Sequence, residues 1–97
     1  MDKQAIVLHP EDNVATAIAD LEKGDTVQIA GRATCIASEL VPFGHKIALA
    51  PIAAGQAVIK YGENIGLAAS DIGLGACVHV HNIDSQRGRG DRAGEGK

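Results

Sequence analysis

The sequence predicts a mostly β domain with one short helix, and three observations carry that expectation. Ala, Val, Ile and Leu must build nearly the whole core, because Phe43 and Tyr61 are the only aromatic residues in 97. A motif of the form apolar-x-x-Gly-x-x-Val occurs three times, at Leu21–Val27, Ile52–Val58 and Ile72–Val78. Short aliphatic and β-branched runs lie between glycine or proline punctuation, as strands do. In each motif copy the glycine supplies a backbone conformation for a turn, the flanking aliphatics face inward, and the valine opens the next strand. The copies begin at residues 21, 52 and 72, so the spacing is unequal and a solenoid is excluded.

The elements follow in order. Ala5–His9 is an apolar strand closed by Pro10. Asp12 or Asn13 can cap a short helix over Val14–Leu21, where Val14, Ile18 and Leu21 share a face, and Gly24 stops it. Thr26–Ala30 and Arg32–Ala37 read as strands bent at Gly31. Lys46–Leu49, Ala57–Tyr61, Asn64–Ala69 and Ala76–Ile83 complete the set, with Tyr61-Gly62-Glu63-Asn64 as a hairpin turn.

Charge divides the chain into a domain over residues 1–84 and a Gly/Arg-rich tail over 85–97. The tail has four basic and two acidic residues and one apolar side chain, Ala93. It is expected to be a flexible extension, because it buries too little to offset its ordering entropy. The remaining 84 residues hold five basic and ten acidic groups, so the folded body is acidic. That balance, with so few rings, argues against a nucleic-acid platform. No apolar run approaches the ~20 residues that cross a bilayer. The start, Met1-Asp2-Lys3-Gln4, lacks a basic-then-apolar leader, so a cytoplasmic setting is expected. Cys35 and Cys77, with no CxxC partner, read as small buried hydrophobes.

The histidines carry the chemical signal. Val78-His79-Val80-His81-Asn82 alternates, and on a strand this sets His79 and His81 on one face, ~6–7 Å apart. Such a pair could hold a metal, bind an anion or exchange protons; a solvated strand face is the plain alternative. His45 and Lys46 open a strand and point to opposite faces. Lys46 and Lys60 are candidates for holding an anion on an acidic body, although lysine at a strand edge also blocks aggregation. His9 stands where a strand meets the expected helix start. No phosphate loop, nucleophile elbow, dinucleotide fingerprint or H-E-x-x-H zinc motif is present.

Five ordered blocks then match a known pattern: His9–Ala15, Gly44–Leu49, Val58–Gly62, Ile65-Gly66 and Val78–Asn82. Across about residues 5–92 the chain resembles the SAF-type N-terminal module of the altronate/galactarate dehydratase family. It is also similar to the small subunit of sulfolactate sulfo-lyase. The resemblance implies a β-clip fold and lyase chemistry, the loss of water or sulfite from a sugar acid or related hydroxy acid. The chain is then expected to be either a fragment of a longer relative or, as favoured, a small subunit, not autonomous as an enzyme, that helps to form or cap the substrate site of a separate large catalytic subunit. Carried over by position, His45, His79 and His81 would be catalytic, and His9, Lys46, Lys60 and Asn82 would meet the anionic sugar acid. A divalent metal, iron or manganese, would serve the assembled enzyme, with His79 and His81 as its candidate ligands on this chain. A homo-oligomer is a further option. The rival readings are the sulfo-lyase small subunit and a non-catalytic SAF binding module.

Overall fold

The computed structural model describes residues 2–84; the expected tail, 85–97, lies outside the described residues. Nine strands form in these residues: β1 (Asp2–Ile6), β2 (Val14–Ala17), β3 (Thr26–Ile29), β4 (Cys35–Ile36), β5 (Lys46–Ala48), β6 (Ala57–Lys60), β7 (Glu63–Ala68), β8 (Cys77–Val78) and β9 (Ile83–Asp84). One sheet runs β4-β3-β1-β2-β5-β8 and a smaller one β6-β7-β9. The expected mostly β architecture is therefore present, and its short, bent ribbons agree with a β-clip.

The expected helix over Val14–Leu21 does not form. Residues 14–17 are strand β2, paired with β1 on one side and β5 on the other. Val14 joins one buried cluster while Ala15 and Ala17 join another on the opposite face. A segment buried on both faces cannot present the polar stripe of a surface helix, and β-branched Val14 and Thr16 suit the pleat. The only helical turn among the described residues is a 3-10 turn at Val80–Asn82.

The turn motif organises the fold more completely than its sequence suggested. A fourth copy, Val41-Pro42-Phe43-Gly44-His45-Lys46-Ile47, escapes the pattern because it closes on Ile rather than Val. Its turn is built like the others, and the four copies pair: Leu21 bridges Val41, and Ile52 bridges Ile72. The second pair repeats the first with an offset of 31 residues, since Leu21 and Val41 map onto Ile52 and Ile72. Strand pairings obey the same offset. Thr26↔Ile36 in β3–β4 becomes Ala57↔Leu67 in β6–β7, and Ala15↔Ile47 in β2–β5 becomes Lys46↔Val78 in β5–β8. The domain is thus two overlapping copies of one bent ribbon. Each encloses its own apolar cluster, one around Leu21, Val27, Val41 and Ile47, the other around Ile52, Val58, Ile72 and Val78. Strands β2, β5 and β8 divide the clusters and feed side chains to both.

Asn13, expected to cap a helix, instead fastens β6. Its Oδ1 accepts from Ile59 N at 2.7 Å, its Nδ2 donates to Ala57 O at 3.0 Å, and its own N donates to Ile59 O at 3.2 Å. One side chain thereby satisfies a strand edge that would otherwise need another strand. Asn13→Ala leaves a donor and an acceptor of β6 unmet, and should cost about 2 kcal/mol in urea unfolding. A midpoint unchanged from the parent would refute that role.

Candidate active site

The antiparallel register of β5 and β8 brings the predicted residues together. Lys46 lies opposite Val78 and Ile47 opposite Cys77. One step further out, His45 and His79 face each other, and their rings stack with centroids 3.8 Å apart and planes 10° apart. The turn ending at Gly44 delivers His45 to this point, its N donating to Pro42 O at 2.9 Å.

The strand that carries His79 stops at Val78, so His79 and His81 do not share a strand face as the alternation predicted. The amide of Asn82 explains the stop. Its Oδ1 accepts from His79 N at 2.9 Å and its Nδ2 donates to Cys77 O at 2.9 Å. These bonds close the 3-10 turn, swing His81 out to an exposed position and hold the His79 backbone at the stack. The Asn82 side chain is engaged with backbone on both sides, and its geometry is that of a positioning residue.

Lys46, half-buried in β5, shares a hollow of about 250 Å³ with His79, Ile65, Val80 and Ile83. Burial and then the nearby Lys60 charge push the Lys46 ammonium below its usual range. Lys60, at the end of β6, lies 4.8 Å above the Tyr61 ring. Burial, followed by the charges of His45, Lys46 and His81, pushes the His79 imidazole down, and His79 Nδ1 is buried without a hydrogen-bond partner. An unpaired imidazole nitrogen with its proton affinity lowered, close to the Lys46 ammonium, is a proton acceptor in a basic setting. His9 does not line that hollow. Its Nδ1 accepts from Glu11 N, and its ring packs against Gly62 in the hairpin after Lys60.

Sequence reasoning missed Glu39 and Cys77 as supports of this site. Glu39 Oε2 accepts from Cys77 N at 2.9 Å, and Cys77 Sγ lies 3.9 Å from His45 Nδ1. Cys77 and Cys35 are buried free thiols, as read from the sequence. Burial, then the Glu39 charge, pushes the Cys77 thiol up, which makes it a packing group rather than a nucleophile. No local signal marks Glu39; it lies 38 residues from its partner.

The metal fits poorly here. Among the described residues no three His, Cys, Asp or Glu side chains converge as ligands. The stacked imidazoles lie face to face, so their lone pairs do not meet at a point.

The depressed His79 value makes stability depend on pH. Because the unfolded chain takes up the His79 proton first, stability falls as pH drops through about 6.5, and the loss levels off below the folded value. Asp12 and Asp25 act in a separate, lower window. Burial raises Asp12, but backbone hydrogen bonds at Gly62, Tyr61 and Leu8 outweigh it; Asp25 is lowered by the Glu22 backbone and then Lys3. His79→Gln should flatten the decline between pH 7 and 5 in urea titrations; an unchanged slope would remove His79 as its source.

Residues 3–86 match the family model described as the altronate/galactarate dehydratase SAF domain. The chain belongs to this SAF domain family. It is 47% identical over 79 residues to altronate dehydratase of Escherichia coli, covering 81% of this chain and 16% of that enzyme. The altronate dehydratase of Bacillus subtilis is 39% identical over 80 residues, again 16% of its length. The (2R)-sulfolactate sulfo-lyase subunit alpha of Paracoccus pantotrophus is 47% identical over 47 residues, 48% of this SAF chain and 70% of that subunit. The SAF domain therefore spans about a sixth of the dehydratases it matches. None of its described helical segments is long and apolar enough to cross a membrane.

Proposed function

We propose that this SAF domain is the substrate-facing small subunit of an altronate-dehydratase-type hydro-lyase, forming one wall of a site completed by a separate large catalytic subunit. The observation that carries this reading is that Lys46 and His79 share one hollow of an otherwise acidic domain, with His45 stacked on His79 and Lys60 close enough to act on Lys46. The charged groups that act on His79 are all basic, which leaves the seat electrostatically open to a carboxylate.

In dehydration of a hydroxy acid, a base takes the α-proton, and the β-hydroxyl departs with a proton from an acid. Negative charge gathers meanwhile on the carboxylate. Lys46 and Lys60 bind that carboxylate and favour the charge developing there. Neutral His79 takes the α-proton at an imidazole nitrogen. His45, stacked on it, holds the ring in place. The proton for the leaving hydroxyl comes from the large subunit in this scheme, and any iron or manganese is held there too, since the described residues offer no three-ligand seat.

A second reading has its own support. Sulfolactate sulfo-lyase subunit alpha is a small chain, and 70% of it is matched. This SAF domain would then face a sulfonate-bearing acid and the leaving group would be sulfite. Reconstitution with the large subunit separates the two. Keto-deoxy acid formed from altronate supports the first reading, and sulfite released from sulfolactate supports the second. Equal turnover by the large subunit without this chain would overturn both.

A further inference from the structure

Neither ring of this ring-poor chain lies in a core: Phe43 is 66% exposed and Tyr61 53%. Val80, at 80%, is the most exposed large hydrophobic among the described residues, with Phe43 next. Val80 directly follows His79 and lines the hollow with it, and Phe43 precedes His45 by two residues in the turn that delivers it. Both are also rigidly presented. Phe43 N donates to Asp20 Oδ1 at 2.8 Å, and Val80 opens the turn fastened by Asn82. Fixed apolar groups left in water beside a polar site have the character of interface anchors.

The chain itself indicates the occupant. Ile83 in β9 lines the same hollow, and the matched region is only 16% of a dehydratase, so most of such an enzyme is available to cover this face. A second copy suits the face badly, because a two-fold contact would gather the Lys46 and Lys60 ammonium groups of both copies into one interface. We propose that Phe43 and Val80 seat this domain on the catalytic body of an altronate-dehydratase-type lyase, with Lys46, Lys60 and His79 turned toward that body's substrate. The inference rests on the function proposed above and names the contact it requires.

The probe is Escherichia coli altronate dehydratase with its matched segment replaced by residues 3–86 of this chain. Docking is read from protease cleavage at the junction and from the X-ray scattering radius; turnover of altronate is read separately. Phe43→Ser with Val80→Ser should speed junction cleavage about tenfold and enlarge the radius, with the domain's own melting unchanged. Lys46→Met with Lys60→Met should keep the docked radius and lose turnover. A serine double variant as protected and compact as its parent overturns the docking, as does a parent chimera already open. Docking lost in the serine variant, with turnover intact in the methionine variant, overturns the substrate reading alone. A dimer of the isolated chain that the serine variant abolishes would give the face to a second copy instead.

Discussion

Replacing His79 by alanine in the assembled lyase is expected to lower turnover by about 10²–10⁴-fold, the range for loss of a positioned general base. The expectation rests on three features found together in this residue. Its Nδ1 is buried and unpartnered, burial and neighbouring charges keep it neutral, and it shares its hollow with Lys46. His81→Ala should act differently. Exposed His81 contributes to lowering His79, so its removal raises the His79 value and moves the acid limb of the rate profile to higher pH, leaving the plateau in place. Unchanged turnover and pH profile in both variants would end the claim that this histidine segment takes part in catalysis.

Gly75→Ala should cost about 3 kcal/mol of stability, against about 1 kcal/mol for Gly55→Ala. Both glycines occupy the left-handed region, at φ +85° and +87°, so both substitutions carry the same backbone strain. A Cβ at Gly55 meets open space, whereas one at Gly75 runs into the carbonyl of Ile36 and the amide of Ser38. The difference between the variants therefore measures how tightly the turn entering β8 is pressed against β4. That contact also carries a hydrogen bond from Ser38 N to Gly75 O at 2.9 Å. Equal midpoint shifts in urea for the two variants would show the contact to be loose.

Much of the fold was legible because its signals are local. A glycine required at positive φ, an aliphatic before it and a β-branched residue after it recur at fixed offsets, and each turn forms where its motif lies. The Tyr61-Gly62 turn was legible for the same reason, with both residues at positive φ between paired Lys60 and Glu63. The helix over Val14–Leu21 was misread because its apolar spacing joins residues of different elements: only Val14 lies in β2, Ile18 is exposed, and Leu21 sits in the next turn. Only the neighbours β1 and β5 decide between helix and strand. The fourth turn was missed because Ile47 replaces the expected valine, a change that packing tolerates and a strict pattern does not.

The sequence by itself determined the composition of the site. His45, Lys46, Lys60 and His79 are readable as an imidazole and ammonium set on a glycine-turned β domain, since residue type and strand order suffice for that. Tertiary structure decided which of them meet and in what state. Stacking of His45 on His79 depends on the β5–β8 register, which joins residues 34 positions apart. The exposed position of His81, off the strand face expected for it, depends on an Asn82 amide that bonds backward to Cys77 and His79. The proton affinity of His79 depends on burial and on charges that include His45 and Lys46, more than thirty residues away in the chain. Register, burial and through-space charge are relations between distant segments, and no single stretch of sequence contains them.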